Sequence, residues 1–453
     1  MRSLAAISLT HGWLPAVLQC CAAAAILSAI TWCGRRGRTR TLLGAAVLGA
    51  AVTIAARWSI DATGVVGDPA PASLWVWTGA AGAAMVLAVR APAPWWRRAG
   101  ALCSVLLCLS CVGLTANTWI AYIPTVAAAG SVLADHPLPD QADLHTLSVL
   151  QAHRTPPTRG VVVPLTTTSN HSGFTHRGEF VYLPPAWFTS TPPPRLPAVL
   201  MIGAAFNTPA DWVRAGAAAS TVDAYASAHH GFAPVLVFAD ATGAFLNDTE
   251  CVNGRRGNAA DHLTKDVIPS AITAFGVSAD RANWAVAGFS MGGTCAIDLA
   301  VMHPELFSAF VDIAGDLGPN AGTRDQSIAK LFGGDRSAWA EFDPLTVIAR
   351  HGRYSASTGR FEVPIPTPRR TLTAAGLDLR ADPEGQDVAA RTLCTAATHQ
   401  GISCTVVGLL GKHDWQFAGH AFAAALPWLA SAVHAPLAEP TRPVESTGRH
   451  RTA

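Results

Sequence analysis

Four long apolar stretches in the N-terminal quarter of the chain restrict its fold more than any other feature. They occupy residues 13–33, 42–58, 73–89 and 100–122. Each is close to the roughly 17 to 25 residues that a helix needs to cross the hydrocarbon layer of a membrane. A secretory signal peptide would explain the first stretch, but not the three that follow it. The pattern therefore predicts a bundle of four transmembrane helices.

Charges in the short loops predict how this bundle is oriented, because basic loops are retained on the cytoplasmic side. The loops after the first and third stretches are rich in arginine, with Arg35, Arg36, Arg38 and Arg40 in one and Arg90, Arg97 and Arg98 in the other. The loop between the second and third stretches carries Asp61 and Asp68 and no basic residue. We therefore expect the N-terminus and everything after Tyr122 to lie outside the cytoplasm.

The rest of the chain has the composition of a globular domain. The whole chain has 453 residues, of which 14% are charged, and its net charge is only +2. It has no basic stripe interleaved with aromatic residues, so nucleic acid is not predicted as a partner. We predict a transmembrane region over residues 1–123, a linker over 124–159, a globular domain over 160–434 and a disordered tail over 435–453.

Within the globular domain, short apolar runs alternate with helical patterns. The runs are GVVVPL, EFVYLP, AVLMIG, PVLVFAD, NWAVAG, AFVDIAG, RTLTAAG and CTVVGLL, and helical patterns cover residues 209–228, 259–275, 291–303 and 388–400. Runs that are apolar throughout are typical of strands buried on both faces. The fold class is therefore α/β, with a mostly parallel sheet covered by helices on both faces and functional groups at the carboxyl ends of its strands.

A nucleophile elbow is predicted where the run NWAVAG continues into FSMGG and a helical pattern. Ser290 lies between Gly288 and Gly292 at this strand-to-helix turn. The tight turn needs small residues on both sides of the serine while its hydroxyl stays exposed. The Met291 N–H at the start of the helix is a candidate oxyanion donor. The second donor should follow an earlier strand, and the N–H of Ala204 after AVLMIG is our choice.

The base and its carboxylate partner should follow the last two strands, in the order serine, acid, histidine. His413 follows CTVVGLL and precedes the last helix, so it can reach Ser290 from the same edge of the sheet. RTLTAAG ends at Gly376, which makes Asp378 the first candidate for the acid. Its rivals are Asp382, Glu384 and Asp387.

These motifs make residues 160–432 similar to the putative esterase family that includes esterase D and the antigen 85 mycolyltransferases. The resemblance is carried by EFVYLPPAW, TKDVIP, GFSMGG and GKHDW, the last being similar to the family's His-Ser-Trp. It implies an α/β-hydrolase fold and ester chemistry. The mycolyltransferases carry their acid as a glutamate within a helix, and no glutamate occupies the matching place near Cys394. The resemblance therefore does not imply a mycolate substrate.

Two further expectations concern the structure around this site. The cysteines of the globular domain, Cys251, Cys295, Cys394 and Cys404, form no CxxC pair, so no zinc or other metal site is predicted. In an oxidising compartment they could form one or two disulfides, with Cys394 pairing to Cys404 across a helix-to-strand hairpin. The long stretch 317–368 should form a cap over the site.

The sequence thus predicts a membrane-anchored, extracytoplasmic serine esterase or acyltransferase that needs no cofactor. Its partners would be the membrane and an acyl ester, for which lipids and glycolipids of the cell envelope are candidates. Two alternatives stay open: a peptidase on the same fold, and a catalytically inactive module that binds or scaffolds.

Overall fold

The computed structural model describes residues 7–10, 12–32, 38–63, 70–90, 95–120, 122–123, 125–133, 137–153, 156–245, 247–365 and 385–435. Its N-terminal part contains four long helices: α1 (Trp13–Trp32), α2 (Arg38–Thr63), α3 (Ala72–Arg90) and α4 (Trp95–Ile120). All four are long and apolar enough to cross a membrane. The four apolar stretches therefore form the four helices that the sequence predicts.

Small residues allow α2 and α3 to pack closely. A β-carbon on Gly49 would lie 2.6 Å from the carbonyl oxygen of Gly79, and one on Gly82 would lie 3.2 Å from the Cα of Gly49. Thr53 donates its hydroxyl hydrogen to the Gly49 carbonyl at 2.9 Å. Because hydrophobic burial contributes little between helices in lipid, such close backbone contact is a common way for membrane helices to associate.

Two short helices, α5 (Val126–Leu133) and α6 (Leu144–His153), connect this part to the globular domain. The domain is built on an eight-stranded sheet in the order β1-β2-β4-β3-β7-β8-β9-β10. Its strands are β1 (Val161–Leu165), β2 (Glu179–Leu183), β3 (Ala198–Ile202), β4 (Val235–Ala239), β7 (Trp284–Phe289), β8 (Ala309–Ile313), β9 (Thr358–Ile365) and β10 (Ser403–Leu410); β5 (Asn253–Gly254) and β6 (Gly257–Asn258) form a separate ribbon. β2 pairs antiparallel with both of its neighbours, β1 and β4. The remaining neighbours in the sheet, in the order β4-β3-β7-β8-β9-β10, pair parallel.

Helices cover both faces of this sheet. They are α7 (Asp211–Arg214), α8 (Ala218–Ala228), α9 (Ala259–Asp261) continuing through a π-helical turn (His262–Val267) into α10 (Ile268–Phe275), α11 (Met291–Met302), α12 (Arg324–Phe332), α13 (Arg336–Ala340), α14 (Pro344–His351), α15 (Gln386–His399) and α16 (Trp415–Ala432). Alternate strand residues enter two different apolar clusters: Leu200 joins one and Met201 the other. This two-sided burial explains the uninterrupted apolar runs and confirms the predicted α/β class.

Two predicted elements differ from the observed ones. The helical pattern over residues 209–228 is divided into α7 and α8, because Ala217 adopts a left-handed conformation with φ of 52°. The described strand that pairs with the last one is a segment that the sequence pattern does not predict. Thr358–Ile365 takes that position and pairs with both β8 and β10. RTLTAAG itself lies outside the described residues, as does the tail from residue 436.

Two disulfides hold helices to neighbouring segments. Cys394 in α15 pairs with Cys404 in β10, which confirms the predicted bond. Cys251 pairs with Cys295 and joins the loop after β4 to α11. The second bond lies five residues along the helix from Ser290, so it ties a loop at the carboxyl edge of the sheet to the helix that follows the elbow.

Candidate active site

Ser290 occupies a strained turn between β7 and α11, with φ of 58° and ψ of −121°. This conformation is rare for a residue with a side chain. A β-carbon on Gly288 would collide with the backbone of Gly292, and one on Gly292 would collide with the carbonyl oxygens of Ile202 and Gly203. Only glycine fits at either position. The structure therefore shows the physical reason for the Gly-x-Ser-x-Gly spacing.

The elbow directs the start of α11 towards the space beside the serine. The Ser290 N–H donates to the Ile313 carbonyl at 2.9 Å, and the Ser290 carbonyl accepts from the N–H groups of Gly293 and Thr294 at 2.8 and 3.1 Å. Met291 is the first residue of α11, where backbone N–H groups have no acceptor within the helix. Its N–H therefore stays a candidate oxyanion donor.

The turn after β3 lies against this elbow. Ile202 pairs with Gly288 across the sheet, and its carbonyl oxygen accepts a hydrogen bond from the Trp212 indole N–H at 3.0 Å. In the turn, the Ala204 carbonyl accepts from the Asn207 N–H at 3.0 Å. Since Gly292 packs on the carbonyls of Ile202 and Gly203, the next residue, Ala204, lies beside the start of α11.

His413 lies between the end of β10 and the start of α16. Its ring packs edge-on against the ring of Phe289, with a centroid distance of 5.1 Å. The next residue, Asp414, caps α16 by accepting from the Phe417 N–H at 2.8 Å. Trp415 also packs on Phe289, at 5.3 Å. The structure thus brings the predicted base against the residue that precedes the predicted nucleophile.

Gln386 is a site residue that the sequence reasoning missed. It is the first residue of α15, its side chain is buried, and its amide nitrogen lies 2.7 Å from Nδ1 of His413. A 180° rotation of the amide would place its oxygen at the same point, where it would accept Nδ1–H and leave Nε2 as the base. A carboxylate is the residue type expected beside a catalytic histidine, so the sequence pattern does not point to a glutamine at this place.

The candidate acids are placed as follows. Asp378, Asp382 and Glu384 lie outside the described residues. Asp387 is the second residue of α15, and its carboxylate forms a 4.0 Å ion pair with Arg391 one helical turn away. Asp378 and its rivals Asp382, Glu384 and Asp387 therefore stay predictions.

Asp312 is a buried carboxylate close to the elbow. It pairs with Gly288 across the sheet, and its Oδ1 accepts the Gly315 N–H at 2.7 Å. A β-carbon on Gly293 would lie 2.5 Å from the same oxygen. Burial raises the pKa of Asp312 to about 7, although the Gly315 hydrogen bond acts in the opposite direction. This group therefore changes its charge near neutral pH directly beneath the first turn of α11.

A cavity of about 700 Å³ opens at the carboxyl ends of the strands, beside the candidate site. One wall comes from the segment after β8 and the helices α12 to α14, and the other comes from the start of α15. Asp316 at its rim donates its backbone N–H to the Thr294 hydroxyl at 2.9 Å, one turn along α11 from Ser290. Gly385, on the opposite side, precedes Gln386. The described part of the predicted cap thus forms one wall of a pocket next to His413.

Two buried acidic side chains lie close to Asp316. Asp248 and Glu250 are buried there, and their carboxyl groups interact with one another and with Asp316. Burial, followed by the charge of Asp248, raises the pKa of Glu250 well above its usual range. Burial beside Asp248 therefore favours the neutral form of the Glu250 carboxyl group.

Among the described residues, His176, Glu179 and His262 have side-chain atoms close enough together to hold a metal ion. The Glu179 carboxylate already accepts hydrogen bonds from the Asp240 N–H at 2.9 Å and the Thr167 hydroxyl at 2.5 Å, and lies 3.0 Å from Nε2 of His262. These contacts account for the group as a buried hydrogen-bonded network. It starts from β2, three strands away from Ser290.

The family of the chain is decided by a match to the family model described as "Putative esterase". This match covers residues 175–429, more than half of the chain, and includes both Ser290 and His413. The chain belongs to this esterase family. It is a serine hydrolase of the α/β-hydrolase type, as the sequence resemblance implies.

This esterase-family protein is similar to the following relative and solved structures at low sequence identity. An uncharacterised protein of Corynebacterium glutamicum is 30% identical over 262 residues, which cover 56% of this chain and 61% of that protein. A ferulic acid esterase structure has 15% identity and a TM-score of 0.46, with 60% of this chain and 99% of the other covered. An S-formylglutathione hydrolase from Agrobacterium tumefaciens has 18% identity and a TM-score of 0.46, covering 61% and 97% of the two chains. Mycobacterium tuberculosis MPT51 has 18% identity and a TM-score of 0.40, covering 59% and 99%.

Proposed function

We propose that this protein is a membrane-anchored serine esterase or acyltransferase whose catalytic domain, residues 160–434, lies outside the cytoplasm. The observation that carries the proposal is the strained Ser290 elbow with His413 packed against its preceding residue. A conformation of this kind costs about 1 to 3 kcal/mol and persists where the surroundings enforce it, commonly at active sites.

The proposed reaction proceeds through an acyl-enzyme. Nε2 of His413 takes the proton of Ser290 as its Oγ attacks the ester carbonyl carbon. The N–H groups of Met291 and Ala204 donate to the oxyanion that forms. Collapse of this intermediate breaks the ester C–O bond, and the alcohol leaves with the proton from His413. Water, or the hydroxyl of an acceptor, then attacks the acyl-enzyme and restores Ser290.

Either Asp378 or Asp382 would stabilise the imidazolium that forms on His413, and Gln386 would fix the orientation of the ring. An amide can orient a histidine in this way, since it holds Nδ1–H without taking a charge itself. We therefore assign Gln386 as a positioning residue. Gln386→Ala should lower kcat more than it raises KM, whereas Asp378→Asn or Asp382→Asn should identify the acid by a much larger loss of kcat.

The anchoring and orientation rest on the N-terminal part. The spans α1 to α4 have the length and apolarity of membrane helices, and the arginine-rich loops favour the cytoplasmic side. The two disulfides support an oxidising compartment for the catalytic domain. An acyl ester of a membrane lipid or glycolipid is the substrate class that fits this location.

Labelling with a fluorophosphonate probe and hydrolysis of p-nitrophenyl esters by the full-length protein in detergent test the mechanism. Ser290→Ala should abolish labelling, and His413→Ala should lower hydrolysis by at least about a thousandfold. Ser403→Ala and His420→Ala change exposed residues outside the site and serve as matched controls. A folded wild-type protein that neither reacts with the probe nor hydrolyses esters would favour the inactive binding module.

Protease accessibility in intact cells or spheroplasts tests the orientation. External protease should digest the catalytic domain while leaving the arginine-rich loops intact. Protection of the domain until the membrane is permeabilised would contradict the extracytoplasmic location without affecting the catalytic assignment.

A further inference from the structure

Two aromatic side chains lie at the carboxyl ends of the parallel strands, next to the turn that carries Ala204. Phe206 follows β3 and Phe245 follows β4, and their ring centroids lie 5.6 Å apart. Phe245 is 65% exposed. The two adjacent rings, one of them largely exposed, form a small apolar patch beside the candidate active site. We call Phe206 and Phe245 the aromatic pair.

The segments that carry this pair have no charged side chains. Residues 203–210 and 241–247 contain no Asp, Glu, Lys or Arg. The acids that flank them, Asp211 and Asp240, are each only 1% exposed. Arg177 binds both segments, but it pairs with the buried Asp240 at 2.6 Å and its side chain is only 24% exposed. Placing these segments at the surface of a bilayer would therefore remove no unpaired charge of theirs from water.

A hydrogen bond connects the same region to the membrane part of the chain. Tyr122 lies two residues after the end of α4, and its hydroxyl donates to Oδ1 of the buried Asp211 at 2.5 Å. The other oxygen of Asp211 accepts from the Thr208 N–H at 2.6 Å, in the turn that follows Phe206. The end of the fourth span is thus joined by two successive hydrogen bonds to the turn that bears the aromatic pair's first member.

We infer that the aromatic pair docks on the lipid bilayer that anchors the chain, so that the active site takes its acyl ester directly from that membrane. The inference rests on the proposed function and commits it to a membrane-resident lipid ester. The Tyr122 hydrogen bond holds the carboxyl ends of the strands, where Ser290 lies, near the point at which α4 leaves the bilayer. The aromatic pair then supplies an apolar contact with the bilayer surface.

Fluorescence quenching tests the docking without using activity. An environment-sensitive fluorescent residue is incorporated at position 245, or at position 305 as a control, in full-length protein reconstituted in lipid nanodiscs. Glu305 is exposed in the loop between α11 and β8, at the amino end of β8 and so on the side of the sheet away from Ser290. Spin-labelled lipids should quench the fluorophore at position 245 at least about twofold more than the one at position 305. Equal quenching at the two positions would overturn the inference.

Two substrates then separate docking from catalysis. Phe245→Asp should lower hydrolysis of a long-chain fluorogenic lipid ester embedded in the nanodisc by roughly tenfold or more, because it places a charge where an apolar ring contacts lipid. It should leave p-nitrophenyl acetate hydrolysis within about twofold, and the matched Phe245→Trp variant should keep both activities. Equal rates on the lipid ester for both variants would refute docking. A wild-type protein that hydrolyses neither the lipid ester nor p-nitrophenyl acetate would instead refute the proposed function.

Discussion

Asp312 allows a prediction about stability whose size follows from the structure. Its side chain is fully buried under α11, and burial raises its pKa to about 7 from 3.8. The folded state therefore binds its proton more tightly than the unfolded state does. For a carboxyl group shifted upwards, the stabilising contribution of the bound proton is present at low pH and is lost as the pH rises from about 4 to 7.

Asp312→Asn removes this titration while keeping an oxygen that can accept the Gly315 N–H. Relative to low pH, linkage with the two pKa values gives a loss of wild-type stability of about 2 kcal/mol at pH 5 and about 4 kcal/mol at pH 8. The free energy of unfolding of the variant, relative to wild type, should thus rise by about 2 to 3 kcal/mol between these pH values.

Thermal unfolding of the full-length protein in detergent measures this difference. The shift in melting temperature between variant and wild type should increase by several degrees from pH 5 to pH 8. Comparing the two proteins cancels the titration of the acids that do not interact with Asp312, while the Asp312 charge also acts on the pKa of Asp298. A difference in stability that does not change with pH would show that Asp312 does not titrate near neutrality and that its burial is less costly than we infer.

Three other substitutions follow from the same contacts. Gly292→Ala should abolish ester hydrolysis and lower the melting temperature, since its β-carbon would collide with two carbonyl oxygens; activity close to wild type would contradict the packed elbow. Cys404→Ser should lower the free energy of unfolding by about 2 to 3 kcal/mol, and a reducing agent should remove the difference from wild type. Deleting α12 and α13 should change the acyl-chain preference across p-nitrophenyl esters of increasing length, whereas an unchanged preference would show that the cavity does not hold the acyl group.

Most of the sheet could be predicted because its strands are buried on both faces. A strand such as β3, with every residue buried, appears in the sequence as an uninterrupted apolar run. β9 was missed because it does not follow this pattern: it contains Arg360 and Glu362, which pair with each other. The charged pair inside TGRFEVPI hides the apolar pattern of a buried strand, so local composition does not point to this segment.

The candidate site was predictable to the extent that backbone geometry determines residue type. Ser290 could be found because its two flanking glycines are required by the backbone, and His413 because it follows the last strand. The position of Gln386 depends on a tertiary contact between the start of α15 and the loop after β10. No local signal encodes that contact. Asp312 was missed for a similar reason, because it lies within an apolar run that reads as an ordinary strand.

The turn after β3 connects the catalytic and membrane parts of the proposal. Within eight residues it contains the proposed oxyanion donor Ala204, the partly buried Phe206 and the carboxylate of Asp211 that binds Tyr122. Tyr122→Phe removes one hydrogen bond to a buried carboxylate, which typically costs about 1 to 3 kcal/mol, and frees the turn from α4. If the hydrogen bond between Tyr122 and this turn holds the oxyanion site next to the membrane, the variant should lose hydrolysis of a bilayer ester and retain hydrolysis of p-nitrophenyl acetate. Equal loss on both substrates would mean that Tyr122 supports only the fold of the turn.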